Sequence, residues 1–194
     1  AAEQRALIAR AGELLVAAGA PDPVAFRAGS YAADDRTLAA LAALNIAYDS
    51  SHNGAEAPRW SRIPLPQAQI APVERGAVLE VPVTVIEDRP GHYRTFQLCA
   101  LSSGEADAAL DHAAREDHAA VTIVSHGFEL ANRAGTAVNR VHRRRFERLC
   151  EMLDERRDAM PTRHFADRPV LALDRDDRPL APNMLRTRWR QAEQ

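Results

Sequence analysis

At 194 residues the chain is long enough for one domain with a real core and a short tail. A formal net charge of −2 offers no positive field to nucleic acid or an anionic membrane surface, and no apolar run approaches the roughly 18 residues of a membrane helix. All 25 basic residues are Arg, and the two cysteines, Cys99 and Cys150, are too few for a disulfide framework and lack metal-ligand spacing.

The chain begins at Ala1 directly in a helical pattern, as expected of a product that has lost its initiator Met or of a sequence that begins inside a longer protein. Residues 3 to 19 have the spacing of an amphipathic helix, with Leu7, Ala11, Leu14, Leu15 and Ala18 on an inward stripe and Gly19 and Pro21 ending it. A short strand is expected at 23–26, followed by the loop Arg27-Ala-Gly-Ser-Tyr31. Asp34 or Asp35 caps the next helix, which turns Leu38, Leu41 and Leu44 inward. A second short strand at 46–48 runs into Asp49-Ser-Ser-His52-Asn-Gly54. Helices alternating with strands over short connections predict a parallel sheet wrapped by helices.

From Ala55 to Gly76 the pattern breaks, with Pro58, Pro64, Pro66 and Pro72 marking a long loop that carries Trp60. That Trp is either a lid anchor or a surface for a ligand ring. Ala77 to Ile86 alternates as a strand in which Pro82 marks an edge or a bulge. Pro90-Gly91 is a turn, and 93–101 is ambiguous between helix and extended chain. Residues 104–118 form a helix with Ala106, Ala109, Leu110 and Ala113 inward, while His112 and His118, six apart, read as solvated.

The run Val121-Thr-Ile-Val-Ser-His126-Gly predicts a short strand buried on both faces, as in a parallel sheet. Such a strand delivers Ser125 and His126 to the carboxyl edge, where ligand sites of α/β folds sit. His126 can equally be a strand-end His bonded to a neighbouring carbonyl. The longest helix is expected over 138–157, with Val138, Val141, Arg145 by its stem, Leu149, Met152 and Leu153 inward. Its other basic residues lie among acids, the pattern of a solvated face. Residues 162–165 suggest a last strand. The tail, 167–194, is charged and irregular, with a turn near 185–189 docking Trp189.

Three polar clusters therefore follow three expected strands: Arg27 to Tyr31, Asp49 to His52, and Ser125 to Glu129. Parallel strands would bring them out at one edge. A His there can act as a general acid, and an Arg can orient a carboxylate or an oxyanion. A serine hydrolase on Ser125-His126 or Ser50-Ser51 is disfavoured because no Gly-x-Ser-x-Gly elbow is present.

Phe26-Arg27-Ala-Gly-Ser-Tyr31, Thr37-Leu-Ala-Ala-Leu41, Tyr48-Asp49-Ser-Ser51, Glu80-Val-Pro82 and Val124-Ser-His126 together resemble the second half of a polysaccharide deacetylase of the NodB homology type. The resemblance spans residues 3–166. It implies an incomplete, distorted (β/α) barrel and metal-dependent hydrolysis of N-acetyl, sometimes O-acetyl, groups on a polysaccharide or amino sugar. By that resemblance Arg27 orients the general base, the Tyr31 backbone helps hold the oxyanion, and His126 is the general acid. Tyr31, Asp49, His52 and Trp60 are the expected substrate contacts; Glu129 carries no role beyond capping the next turn.

One departure is decisive for the expectation. The family takes its base and metal ligands (zinc, cobalt or nickel) from an Asp-Asp strand end and a His-x-x-x-His motif, both upstream of the Arg loop. Only 26 residues precede Arg27; they hold Asp22 as their single Asp and no His, and no pair among the seven His has the required spacing. The chain therefore reads as a C-terminal portion, residues 1–166 plus a tail, inactive alone or a non-catalytic glycan-binding remnant. Open strand edges would lead it to self-associate.

Overall fold

The computed structural model describes residues 2–193. Helix α1 (Ala2–Ala17) precedes strand β1 (Ala25–Phe26), and helix α2 (Asp35–Ala43) precedes β2 (Tyr48–Asp49). Strands β3 (Val73–Arg75), β4 (Val78–Glu80), β5 (Val85–Arg89) and β6 (His92–Thr95) follow. Helices α3 (Ser103–Arg115), α4 (Arg140–Glu155) and α5 (Met184–Glu193) complete the chain.

The fold is mixed α/β. The main sheet has the order β1-β2-β4-β3, in which β1, β2 and β4 are parallel and β3 runs against β4. It does not close into a barrel. Phe26 pairs with Asp49 and Asp49 with Glu80, so the chain leaves β1, β2 and β4 at one edge. An antiparallel hairpin, β5–β6, forms a second sheet.

Local chemistry explains where these elements start and stop. The Asp34 side chain accepts from the N–H groups of Arg36 and Thr37, and Thr37 reaches back to the Asp34 N–H, a reciprocal cap worth about 1 kcal/mol. Leu38 and Leu41 then pack with Ile46, Ile63 and Val78. Asn45, in the left-handed region at φ 57°, ends the helix. The strand expected over 77–86 is split into β4 and β5, because Pro82 has no N–H to continue a ladder. On either side of it Val81 N donates to Asp49 O (2.7 Å) and Val83 N to His52 O (2.8 Å), so β4 is an inner strand rather than an edge. The long loop 55–76 ends in β3, which its prolines hide from a pattern reading.

The second core lies between the hairpin and α3, α4. Ile86, Phe96, Leu101, Leu110, Leu149, Met152 and Leu180 meet there. Burying a side chain such as Leu110 stabilises by about 2–3 kcal/mol. Helix α3 turns Ala106, Ala109, Leu110 and Ala113 inward as its spacing predicts, capped by Ser102 and Glu105. In α4, Arg145, Leu149 and Met152 are buried as expected and Leu153 is half-buried, whereas Val141 stays exposed, as does Val138, which precedes the helix start at Arg140.

Several expectations need correction. Residues 121–125 are extended but join no ladder: Thr122 exchanges bonds with Thr84, and Val124 bridges Gln97 and bonds Phe96 and Leu98. The segment crosses the open end of the hairpin, so only Val124 is fully buried and Val121 to Ile123 are half-covered. Residues 165–167 form a 3-10 turn, not a strand, and the Phe165 ring lies 5.0 Å from that of Tyr48. Helix α1 forms, but the stripe expected inward faces solvent. Gln4, Ile8 and Gly12 face the body instead, and no residue of α1 is fully buried. The tail is packed on the body through Arg190, not Trp189. Trp189 is 70% exposed, whereas Arg190 is 3% exposed and donates to Glu105 (2.9 Å) and Asp88 (3.2 Å). Two buried carboxylates reward an inward guanidinium more than a pocket rewards an indole that must also satisfy its N–H.

Candidate functional site

The parallel register builds a polar floor under the sheet edge. Arg27 follows β1 and reaches across to β2, donating from Nε to Ser50 O (2.9 Å) and from Nη2 to Ser50 Oγ (2.8 Å). The Ala28 N–H donates to Ser51 Oγ (2.9 Å), and Ser51 Oγ donates in turn to Asp49 Oδ1 (2.7 Å). On the next strand Glu80 Oε1 accepts from the His52 N–H (2.8 Å). The other oxygens of this pair, Asp49 Oδ2 and Glu80 Oε2, are buried with no other partner.

Two neighbouring carboxyls in a fully buried row cannot both ionise cheaply. Burial first, then the bond to Asp49 and its charge, pushes Glu80 up to about 10; burial likewise raises Asp49. One proton shared by the pair would let the two orphan oxygens satisfy each other. Arg27 has its pKa lowered by desolvation, against the pull of Tyr31, Asp49 and Glu80. It keeps an exposed face at the rim.

The floor continues along the chain. His52 is fully buried; its Nε2–H donates to Pro66 O (3.0 Å), which sets its tautomer, and burial lowers its pKa. Asn53 donates from Nδ2 to Thr95 Oγ1 (3.0 Å), joining the sheet to the hairpin. Next to it Gly54 lies against the 66–67 backbone: a Cβ there would sit 1.8 Å from Gln67 O. No residue larger than Gly fits that approach.

Above the floor, Ser30 and Tyr31 occupy the left-handed region at φ 53° and 58°. Such conformations cost a non-glycine residue about 1–2 kcal/mol each, and strain of this kind gathers at functional loops. Burial raises the Tyr31 phenol pKa; Arg27 and a hydrogen bond to Asn53 oppose it, and Glu56 and Glu129 add to it. The Tyr31 N–H donates to Ala28 O (3.0 Å). In this conformation it is committed within the loop, and the oxyanion role expected for the Tyr31 backbone is not open to it.

Tyr31 feels the charge of Glu129, and Glu129 is the partner of His126. His126 Nδ1–H donates to Glu129 Oε1 (3.1 Å), one 3-10 turn further on, and its side chain is 46% exposed. Glu129 is buried and gathers partners: Gln97 Nε2 donates to the same oxygen, Cys99 Sγ lies 3.4 Å from it, and the Glu129 carbonyl accepts from His142 Nδ1 (2.7 Å). Burial and Glu129 push the Cys99 thiol up to about 11. The Phe128 ring stacks on His126 at 4.9 Å. An imidazole held at one nitrogen by a buried carboxylate, with nearly half of its side chain exposed, keeps its other nitrogen out of that bond, as a proton donor to substrate must.

The sequence-expected residues thus divide. Arg27 and Tyr31 lie close enough to feel each other's charge, and Tyr31 feels that of Glu129, the partner of His126. Asp49 and His52 have no exposed surface and support this group from below, so a ligand at the rim does not touch them. Trp60 is 44% exposed with the Arg59 guanidinium 5.3 Å over its ring, so it is not the packed lid anchor. Ser50 and Ser51 spend their hydroxyls on Arg27, Ala28 and Asp49, which leaves no nucleophile there. Glu129, Glu80 and Asn53 have no role in the sequence reading. The Asp49–Glu80 row follows from strand register alone, and the Glu129 contact from its i,i+3 spacing to His126.

Among the described residues no three His, Cys, Asp or Glu side chains come together in a way that could hold a metal ion. The Asp49–Glu80 pair is arranged for a proton. The residues present therefore do not fit the divalent metal of the resembled family on their own. A cavity of about 250 Å³ lies elsewhere, lined by His112, Glu116, His118 and residues 175–178. His112 and His118, expected to be solvated, meet edge to face there at 5.0 Å, and His112 Nε2 donates to Arg178 O (2.9 Å). Positive and negative side chains alternate on its wall, and nothing there resembles a reaction centre. No family model matches the chain, and neither the curated proteins nor the solved structures compared with it give a match.

Proposed function

We propose that this chain carries the arginine-loop and histidine parts of a carbohydrate deacetylase, within an incomplete (β/α) barrel. The reaction is hydrolysis of N-acetyl or O-acetyl groups on a polysaccharide or amino sugar. The metal and the general base belong to polypeptide outside these residues, and the chain is inactive alone. The observation that carries the reading is His126: its Nδ1–H is on buried Glu129, its side chain is nearly half exposed, and the charge of Glu129 is felt at Tyr31. It adds to the resemblance of the Arg27, Asp49, Glu80 and His126 segments to that family.

In this reading the imidazolium at His126 gives its Nε2 proton to the leaving nitrogen or oxygen, while Glu129 keeps the ring in register. Arg27 has five N–H donors, and the two spent on Ser50 leave others to orient a carboxylate. Tyr31 contributes its phenol and the wall of the mouth. A second reading, glycan binding without catalysis, draws on the exposed rings of Trp60 and Phe128, which suit sugar faces.

Acetate release from acetylated amino-sugar oligomers tests both, with added zinc, cobalt or nickel. It is measured for this chain and for the product of the coding sequence extended upstream. The expected result is no release from the chain, release from the longer product, and a fall in turnover of about 10²- to 10⁴-fold on His126→Ala with little change in KM. Unchanged turnover in that variant removes His126 from the chemistry. Sugar binding without release by either protein favours the second reading.

A further inference from the structure

Two loops carry a charge opposite to that of the whole chain. The net charge of the chain is −2, yet residues 23–33 hold Arg27 as their single charged side chain. Residues 50–72 hold Arg59 and Arg62 against one acid, Glu56, with His52 buried below them.

Hydrogen bonds lay the second loop against the first. The Arg62 backbone N–H donates to Ala33 O (2.9 Å), two residues beyond Tyr31. Ser61 Oγ donates to Ser51 O (3.2 Å) and accepts from the Asn53 N–H (3.2 Å), so the excursion 54–60 closes on itself beside the floor. Within it the Trp60 backbone N–H donates to Glu56 O (2.9 Å), and the charge of Glu56 is felt at Tyr31, whose phenol bonds Asn53. Tyr31 and the stretch 59–62 are therefore neighbours across the two loops.

The charged side chains of this stretch are not spent on the fold. Arg59, Trp60 and Arg62 are exposed, and among the described residues neither arginine has an ion-pair partner. Arg75, Arg94, Arg156 and Arg190, by contrast, all bond carboxylates. The Arg59 guanidinium lies 5.3 Å over the Trp60 ring, which restrains it without using its N–H donors. A guanidinium held in this way is prepared to fork a carboxylate. The indole remains 44% exposed, and a ring with a polar edge suits a sugar face. A neutral sugar laid here would take water from the two guanidiniums and return no charge; a carboxylate offsets that cost.

We infer that Arg59 and Arg62, with Trp60 between them in the chain, form a subsite for a carboxylate-bearing sugar, so that the glycan taken here alternates a uronate with the acetylated amino sugar. The inference rests on the glycan reading above and narrows its substrate class. The two arginines select the sugar and take no part in the chemistry.

Titration of the isotopically labelled chain with two tetrasaccharides tests it. One is the tetramer of N-acetylglucosamine; the other is a hyaluronan tetramer, in which glucuronate alternates with N-acetylglucosamine. The hyaluronan tetramer is expected to bind more tightly at low salt, by up to about fivefold for each arginine, the scale of an exposed ion pair. Its additional shifts are expected at Arg59, Trp60 and Arg62. The preference is expected to vanish near 1 M salt, where charges are screened beyond about 3 Å, and when the hyaluronan carboxylates are reduced to alcohols. Arg59→Gln combined with Arg62→Gln brings the two sugars to equal affinity. Circular dichroism checks that this variant folds, and the carboxyl-reduced sugar decides the same point without a substitution. A preference that survives the double substitution or the carboxyl reduction overturns the inference, as does tighter binding of a single-stranded DNA oligomer than of hyaluronan. Binding of the N-acetylglucosamine tetramer with no preference for hyaluronan overturns this inference alone, whereas no shift with either sugar overturns the glycan reading with it.

Discussion

Asp49, Ser51, His52, Asn53 and Glu80 have no exposed surface at all, whereas His126 keeps nearly half of its side chain open. Both regions are built from carboxylates, imidazoles and short polar side chains. In the floor each group has its valences filled by backbone, by a neighbour or by a shared proton, and a histidine there donates to a proline carbonyl. At the corner one buried carboxylate fixes one nitrogen of a half-exposed ring. Burial converts such residues into a frame, and a single buried partner converts an exposed one into an aimed group. The two regions meet at Tyr31, whose strained loop is tied below to the Ser51 network and faces Glu129 above.

If the floor is a frame, its largest failure is steric. Gly54→Ala is expected to cost more than about 3 kcal/mol in urea denaturation, because the new Cβ collides with backbone rather than with a movable side chain. At the corner, His126→Ala leaves the urea midpoint unchanged while removing turnover from the longer enzyme. Equal losses of stability at both positions would erase the distinction. Ser51→Ala comes next: it strands Asp49 Oδ1 and the Ala28 N–H and is expected to destabilise by about 1–3 kcal/mol.

Glu80→Gln reads the shared proton. A carboxyl raised to about 10 in the folded state binds its proton where the unfolded chain has lost it. Its contribution is complete below the ordinary carboxylate range, declines as pH rises from there, and is gone above about pH 10. A carboxamide donates to Asp49 Oδ2 as the protonated acid does and does not titrate. The variant is expected to flatten the fall in stability between about pH 6 and 9, where one such group contributes up to 1.4 kcal/mol per pH unit. An unchanged slope would mean that the pair is not protonated. The smallest effect is at Glu129→Gln, which is expected to lower turnover of the longer enzyme about tenfold by loosening the His126 ring. NMR of the imidazole nitrogens, read where the ring is neutral, checks it: the remaining proton is expected on Nδ1 in the wild type and on a mixture in the variant.

The same contrast separates what the sequence revealed from what it hid. The inward face of α3 was readable, since its small apolar residues had a single place to go, although the helix ends at Arg115 rather than 118; so was the buried stem of Arg145. The equally regular stripe of α1 indicated a helix but not what covers it. Periodicity reports which residues share a face; it does not report whether the body offers that face a partner. Apolar content alone made 121–125 look like a doubly buried strand, but its hydrogen bonds go to the hairpin ends at Thr84 and Phe96. At the site, the Arg27 and Asp49 loops were legible because short parallel strands bring their ends together; His126 follows no such strand. Glu80 and Glu129 were not, because a buried carboxylate is recognised by its partners and those come from distant segments. Arg190 escaped for the same reason, with Asp88 and Glu105 far away in the chain.

The central claim is that Arg27, Tyr31 and His126 form one ligand face over an unreactive floor. It is tested most directly by titrating a tetramer of N-acetylglucosamine into the isotopically labelled chain and following chemical shifts. The account expects the largest changes at Arg27, Tyr31 and His126, and their loss in Arg27→Ala. Shifts centred on the cavity at His112 and His118, or none at saturating sugar, would contradict it.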